Sequence, residues 1–299
     1  MHYIVAVPYD LSIAESIGKK GSENSIMFFN RKEEGNTIVC LVPSNPEDKF
    51  HSVAETLMLA DQVIIDTKNI DSVFGEVLVA AKLLKKRVIF TSENEVGAIA
   101  KGMDYEVSDR DVLVERIIRY QPQKVKEQEN QKTVVLIDKV FPVKGVGTVA
   151  LGFVKSGIVH VHDTLRHNSG KEVFVRSIQS QDVDVDEAEV GTRVGLALKN
   201  VEYDEIDKGD ILSSETFNNI EDISAKLEMT DIWEEDISEG RRYELVSNFI
   251  VCDAEVKNFD KSTGTISLSL VKKVPLAKGD TFVLVRSRMP RIFACGEVL

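Results

Sequence analysis

Three groupings of side chains have the types and spacing to do chemistry. His160-Val161-His162-Asp163, followed by His167, puts two imidazoles on one face wherever the segment runs as a strand, because alternate strand residues share a face. Two imidazoles could open a metal site. No Cys or carboxylate cluster follows at ligand spacing, so alternation on a solvated strand accounts for the pair equally well. Neither a metal nor a cofactor is expected. Cys40 and His51 have the types of a thiol nucleophile and its base. Cys40, though, sits inside an apolar run over 37–42 and reads as core. Gly18-Lys19-Lys20-Gly21-Ser22 has the composition of a phosphate-cradling loop, in which backbone N–H groups wrap the anion and a lysine neutralises it. It neither follows a strand directly nor keeps the spacing Gly-x-x-x-x-Gly-Lys-(Ser/Thr), and it reads as a polar connector.

The elements that would position such groups change character along the chain. Up to residue 120, short apolar runs at 3–7, 37–42, 62–65 and 87–90 alternate with helical stretches at 12–20, 49–59, 73–84, 95–102 and 108–120. Strand and helix in alternation imply right-handed βαβ units and a short doubly wound parallel sheet covered on both faces. Residues 121–132 (QPQKVKEQENQK) lack an aliphatic cluster, which is the composition of a linker. Beyond them the chain is rich in Val, Ile, Thr and Gly, with turn signals such as Lys144-Gly145-Val146-Gly147, Asn168-Ser169-Gly170 and Lys278-Gly279-Asp280. Many short strands with regular turns imply antiparallel β-barrels. The acidic stretch 231–237 holds the single Trp, Trp233, and reads as a connector that turns the indole inward. The domain plan is an α/β domain over 1–122, a linker over 123–132, and two β-barrels over 133–214 and 215–299.

Composition narrows the function. The 299 residues carry 37 Lys+Arg against 49 Asp+Glu, a formal net charge of −12. Non-specific binding to nucleic acid is carried by Lys and Arg on phosphates, so a coat on DNA or RNA is excluded while a small local RNA site is not. No apolar run approaches the ~20 residues of a membrane-spanning helix, and no membrane association is expected. The N-terminal Met-His-Tyr-Ile-Val-Ala-Val opens into a strand pattern rather than a signal peptide. Cys40, Cys252 and Cys295 are widely separated, form neither a disulfide framework nor a CxxC pair, and fit a reducing cytoplasm.

Residues 138–212 contain VFPVKGVGTVALGFVKSGIVHVHDTL and then VGTRVGLALKNVEYDEIDKGDIL. The order of Gly-x-Gly-Thr-Val at 145–149 and Glu-Ile-x-Lys-Gly-x-Ile-Leu at 205–212 resembles the second domain of elongation factor Tu and its relatives, including the selenocysteine-specific factor. The closing Arg291-Ile292-Phe293-Ala294-Cys295-Gly296-Glu297-Val298 resembles the third domain of the same family.

That resemblance implies a GTP-binding domain at the N-terminus, and the motifs are missing from it. In an ungapped placement Pro8 and Ile13 stand for the two phosphate-loop glycines, Ala14 for the lysine and Glu15 for the Mg²⁺-binding hydroxyl. Pro8 has no N–H to donate, Ala14 removes the positive charge, and Glu15 would repel an anion. Ser12-x-x-Glu15 reads instead as a capping box on the helix N-terminus. Pro43 and Pro46 stand where the family has the Asp and Gly of Asp-x-x-Gly, and Glu47 stands for the water-orienting His. Thr91-Ser92-Glu93-Asn94 replaces the guanine-reading Asn-Lys-x-Asp, and Asn94 lacks the carboxylate. A degenerate G-like domain without GTPase catalysis is the expectation.

In the family, one face of the second domain holds the 3′-terminal adenosine of an aminoacyl-tRNA. Carried over position by position, that pocket falls on Val143, Gly145 and Val149, with Glu205 and Lys208 completing it. The residue types suit an RNA end, with an apolar floor, a glycine that lets a base approach, a carboxylate for a ribose hydroxyl and a cation for the phosphate. The implied protein is a non-catalytic elongation factor paralogue in the cytoplasm that binds tRNA, another RNA end or a translation partner. Two alternatives stand beside it: a protein–protein adaptor without RNA binding, and an unrelated enzyme activity in the α/β domain.

Overall fold

The computed structural model describes residues 2–33, 36–47, 49–68, 70–92, 96–120, 132–230 and 236–299. Asn94, Trp233 and the expected linker up to residue 131 lie outside the described residues. The first domain runs β1 (His2–Ala6), α1 (Leu11–Ile17), β2 (Lys19–Glu23), β3 (Ile26–Glu33), β4 (Asn36–Pro43), α2 (His51–Leu59), β5 (Gln62–Ile65), α3 (Ser72–Leu83), β6 (Arg87–Phe90), α4 (Val96–Ile99), β7 (Tyr105–Val107) and α5 (Arg110–Arg119). Its strands order as β2-β3-β4-β1-β5-β6-β7.

Alternation along each strand explains why helices cover both faces. Tyr3, Val5 and Val7 of the β1 run pack with Ile13 and Ile17 of α1 and Leu113 and Ile117 of α5. Ile4 and Ala6 point the other way, to Val53 and Leu57 of α2 and Val77 and Ala80 of α3. A strand buried on both faces must be apolar at every position, which is how these runs read.

Three local expectations are corrected. The sheet is mixed rather than wholly parallel, because β2, β3 and β4 form an antiparallel meander at one edge while β4, β1, β5, β6 and β7 pair in parallel. The helix expected over 12–20 ends at Ile17, and residues 19–22 of the supposed connector are themselves part of β2. Gly18 is extended and lies so close to the β3 backbone that a Cβ on it would sit 2.7 Å from the Asn30 carbonyl carbon, so the position admits no side chain. Lastly, the capping box does not form. Asp10 is the N-cap of α1 and accepts from Ile13 N at 3.1 Å, Ser12 Oγ donates to Asp10, and Glu15 is exposed.

The first barrel is built from β8 (Val134–Val143), β9 (Gly147–Ser156), β10 (Ile158–His160), β11 (Thr164–His167), β12 (Glu172–Ser180), β13 (Val183–Val185), β14 (Glu187–Glu189), β15 (Arg193–Lys199) and β16 (Ile211–Ser213). It closes through the pairing of β11 with both β12 and β16. His162 leaves the strand pattern at φ 77° and stacks on Phe174, so it does not share a strand face with His160. The second barrel comprises β17 (Ile220–Met229), β18 (Arg242–Ser247), β19 (Ile250–Asp260), β20 (Thr265–Val274), β21 (Thr281–Val285) and β22 (Ile292–Val298), closed in the order β17-β20-β19-β18-β21-β22. The α/β domain followed by two antiparallel barrels is the architecture that the sequence pattern implied.

The three domains share one apolar junction. Phe28 of β3 lies 6.2 Å from Phe153 of β9, which stacks at 6.2 Å on Phe249 of the second barrel. Leu136, Ile211, Val246, Val283 and Ile292 join the same buried cluster. Gly209, at φ 91°, passes so near the second barrel that a Cβ would sit 2.9 Å from the Phe249 carbonyl oxygen. Among the described residues no helix is long and apolar enough to cross a membrane.

Candidate functional site

Two places in this fold position chemistry, and the first is the C-terminal edge of β1, β4 and β5. In open α/β sheets ligands bind outside the carboxyl ends of the strands, where the strand order reverses. Here that edge holds a cavity of about 260 Å³ lined by Val7, Pro8, Tyr9, Asp10, Pro46, Glu47, Ile64, Ile65, Asp66, Asp71, Val73, Phe74, Val77 and Arg291. The Asp10 carboxylate occupies the N-terminus of α1, where a phosphate would otherwise lie. Arg110 of α5 bridges it to Asp66, 2.8 Å from Oδ2 of the latter, and Asp66 accepts from Thr91 Oγ1 at 2.6 Å. Burial raises the Asp10 pKa, but the bonds from Ser12, the Ile13 amide and Arg110 outweigh it and hold the carboxyl below its usual range. The carboxylate at the helix N-terminus is therefore Asp10 and not Glu15.

The other positions named for the nucleotide motifs lie in the same region. Ile13 and Ala14 are buried against the sheet. Pro8 is buried after β1, Pro43 is buried at the end of β4, Pro46 is half-buried and Glu47 exposed. Arg291 of the second barrel reaches into this region, pairing with Glu76 at 2.7 Å and lying 3.9 Å over the Phe50 ring.

The second place is the seam between the first barrel and the β2–β3 hairpin. A hollow of about 440 Å³ is lined there by Phe141, Val143, Val146, Val149 and Leu151 on one side, Gly21, Ser22 and Asn30 on another, and Gln179, Gln181, Asp182 and Arg193 at its polar end. Of the five expected residues, Val143 and Val149 line it, and Gly145 makes the adjoining β8–β9 turn at φ 82°. Glu205 and Lys208 do not line it. Glu205 accepts from Lys171 Nζ and from the Glu202 amide, contacts that depress its pKa, with the amide bond the larger cause. Lys208 Nζ is 2.5 Å from Glu55 Oε1 and 2.6 Å from Ser25 Oγ, so it braces the barrel against the α/β domain.

Arg193 was not among the expected residues. Its guanidinium lies 3.5 Å over the Phe28 ring, pairs with Asp138 at 3.0 Å and donates to Ser22 Oγ at 2.8 Å. The side chain is 10% exposed, and burial pulls its pKa down against the opposing pull of Asp138. Nη1 of Arg193, Oδ1 of Asn30 and Nε2 of Gln181 are buried without a hydrogen-bond partner, and all three residues line the hollow. The available signal was a lone arginine among strand residues in VGTRVGLALKN. Elsewhere, Cys40 is fully buried and burial pushes its thiol pKa well up, which leaves it inert.

The α/β domain followed by two barrels is a translation-factor-like fold. The Elongation factor Tu domain 2 family matches residues 147–213. The chain is 30% identical over 300 residues to Uncharacterized protein MJ0325 of Methanocaldococcus jannaschii, covering 96% of each. It is 29% identical over 200 residues to the Selenocysteine-specific elongation factor of the same organism, spanning 58% of this chain and 43% of that one. Elongation factor 1-alpha of Saccharolobus solfataricus is 38% identical over 77 residues, 18% of its length. The solved structure of translation elongation factor SelB from Methanococcus maripaludis with the GTP analogue GppNHp superposes with a TM-score of 0.81 at 19% identity, over 99% of this chain and 78% of that one. A bacterial selenocysteine-specific elongation factor EF-Sec gives 0.80 at 17%, over 99% and 58%. The chain belongs to the same family as MJ0325, among the relatives of elongation factor Tu and the selenocysteine-specific elongation factors.

Proposed function

We propose that this protein is a non-catalytic paralogue of the translation elongation factors, working in the cytoplasm, that does not bind GTP and grips an RNA 3′ end on its first barrel. The observation that carries the RNA reading is the seam hollow, where an apolar floor meets unpartnered buried polar atoms on Arg193, Asn30 and Gln181. A terminal base stacks on Val143 and Val149, Gly145 leaves room at the turn, and Arg193 donates to a phosphate or carbonyl of the RNA end. Glu205 and Lys208, paired with Lys171 and Glu55, would join that contact by releasing those partners.

Loss of nucleotide binding is supported at the other site. The helix N-terminus already holds the Asp10 carboxylate, clamped by Arg110, and Asp66, Asp71 and Glu47 line the space where phosphates would go. Calorimetry with GTP or GDP and Mg²⁺ should give no binding heat, and a micromolar dissociation constant would overturn this half. For the RNA half, a gel-shift assay with aminoacylated and deacylated tRNA should show 3′-end dependence. The shift should be lost in Val149→Trp, which fills the hollow, and weakened in Glu205→Ala. A second reading, a protein–protein adaptor without RNA binding, is favoured by the engagement of Lys208 with Glu55 and of Glu205 with Lys171. No tRNA shift at low salt would leave that reading standing.

A further inference from the structure

The cavity at the C-terminal edge of β1, β4 and β5 has a character that loss of GTP binding does not explain. A polar-rimmed surface cleft stays open where water or a ligand occupies it in place of side chains. This one stays open at about 260 Å³, with an apolar floor of Val7, Ile64, Ile65, Val73, Phe74 and Val77. Its walls carry carboxylates. Asp10, Glu47, Asp66 and Asp71 line it, and the buried Glu76 lies just behind. Among the described residues two guanidinium groups answer them, Arg110 held between Asp10 and Asp66 and Arg291 held by Glu76 and the Phe50 ring, while Asp71 caps α3 by accepting from Val73 N and Phe74 N. Lys49 and Lys68, on the neighbouring loops, do not line it.

A third observation concerns the rim. Large apolar side chains are exposed at Tyr9 (41%), Leu11 (43%) and Ile70 (47%). Tyr9 lines the cavity, and Leu11 and Ile70 are chain neighbours of the lining residues Asp10 and Asp71. Apolar floor, aromatic wall and an excess of negative charge describe a receptor for one kind of ligand. The geometry points to a binding site for a small organic cation, an ammonium or guanidinium group on an apolar stem, at the sheet edge. The stem lies on Val73, Phe74 and Val77, the Tyr9 ring closes over it, and the charged group meets Glu47, Asp66 and Asp71. The site rests on the reading that no nucleotide occupies the same edge.

The test is calorimetric titration of the full chain with tyramine and with agmatine, phenylacetate serving as the anionic control. Both amines should bind at low-millimolar concentration or tighter, phenylacetate should not, and added salt should weaken the amines. Val73→Trp, at a half-buried position, should abolish binding by filling the floor. Glu47→Lys, on the exposed rim, should weaken it roughly tenfold by reversing one charge. Both variants should keep the wild-type circular dichroism and thermal midpoint. Silence of both amines, equal binding by Val73→Trp, or equal binding of phenylacetate would each overturn the site. A separate GTP titration keeps the two readings apart: silent amines with silent GTP remove this site alone, whereas GTP heat removes the nucleotide-free reading.

Discussion

Lys208→Met is the most informative single substitution, because it isolates the brace between the first barrel and the α/β domain. The Glu55 side chain is 0% exposed, and Lys208 at 25% exposed is its cationic partner, with Ser25 Oγ donating at 2.8 Å to the other carboxylate oxygen. Removing one partner of a buried ion pair costs about 3–5 kcal/mol, since the remaining charge is uncompensated. The retained Ser25 bond and the partial exposure of Lys208 bring the expected loss down to about 2–3 kcal/mol. For a chain of this size each kcal/mol moves the thermal midpoint by about 2 °C, so Lys208→Met should lower it by about 4–6 °C. The loss should depend on pH. Burial raises the Glu55 carboxyl above its usual value, and Lys208 opposes that rise. Without Lys208 the pKa climbs further, and a folded-state pKa above the unfolded one favours the fold at low pH and penalises it as pH rises through the folded value. The deficit should therefore be largest near neutral pH and shrink on acidification. Glu55→Gln combined with Lys208→Met should recover much of it. Differential scanning fluorimetry from pH 7 downward reads all of this. A midpoint within about 1 °C of wild type at pH 7, or a double variant no better than the single, would refute the buried-brace argument.

Other outcomes follow from the same kind of reasoning. Asp10→Ala should cost about 1 kcal/mol by removing the α1 cap and the Arg110 bridge. Because the Asp10 pKa is depressed in the fold, its stabilisation is present above the unfolded value near 4 and lost as pH falls through the lower folded value. The variant's acid-unfolding curve should accordingly be flatter than the wild type's. Gly209→Ala should lower the urea midpoint by an amount equivalent to about 1–3 kcal/mol, since φ 91° is strained for any side chain and the new Cβ would press on the Phe249 carbonyl. Arg291→Ala should destabilise by about 3 kcal/mol in thermal unfolding, leaving Glu76, at 3% exposed, without its guanidinium.

What the sequence disclosed follows from how local each determinant is. Strands β5 and β6 lie at the expected positions because four-residue apolar runs between polar boundaries admit few other readings. Strand β3 begins in the apolar Ile26-Met27-Phe28-Phe29, but its continuation Asn30-Arg31-Lys32-Glu33 has the polarity of a loop and hides it. The end of α1 was not legible: it is set by the approach of Gly18 to Asn30, a contact with a neighbouring strand. At the seam, Val143 and Val149 were visible through the motif that contains them. Arg193 was not, because its role comes from Phe28, Asp138 and Ser22 meeting around it. Lys208 has an obvious charge and a hidden partner, for Glu55 lies 153 residues away.

The aromatic column of Phe28, Phe153 and Phe249 makes the polypeptide resemble a heterotrimer whose subunits happen to be sewn end to end. The three domains are held to one another by side-chain packing as well as by the chain that joins them. Changes at the column alter whether they recognise one another, and it is there that the shape of the whole molecule is specified.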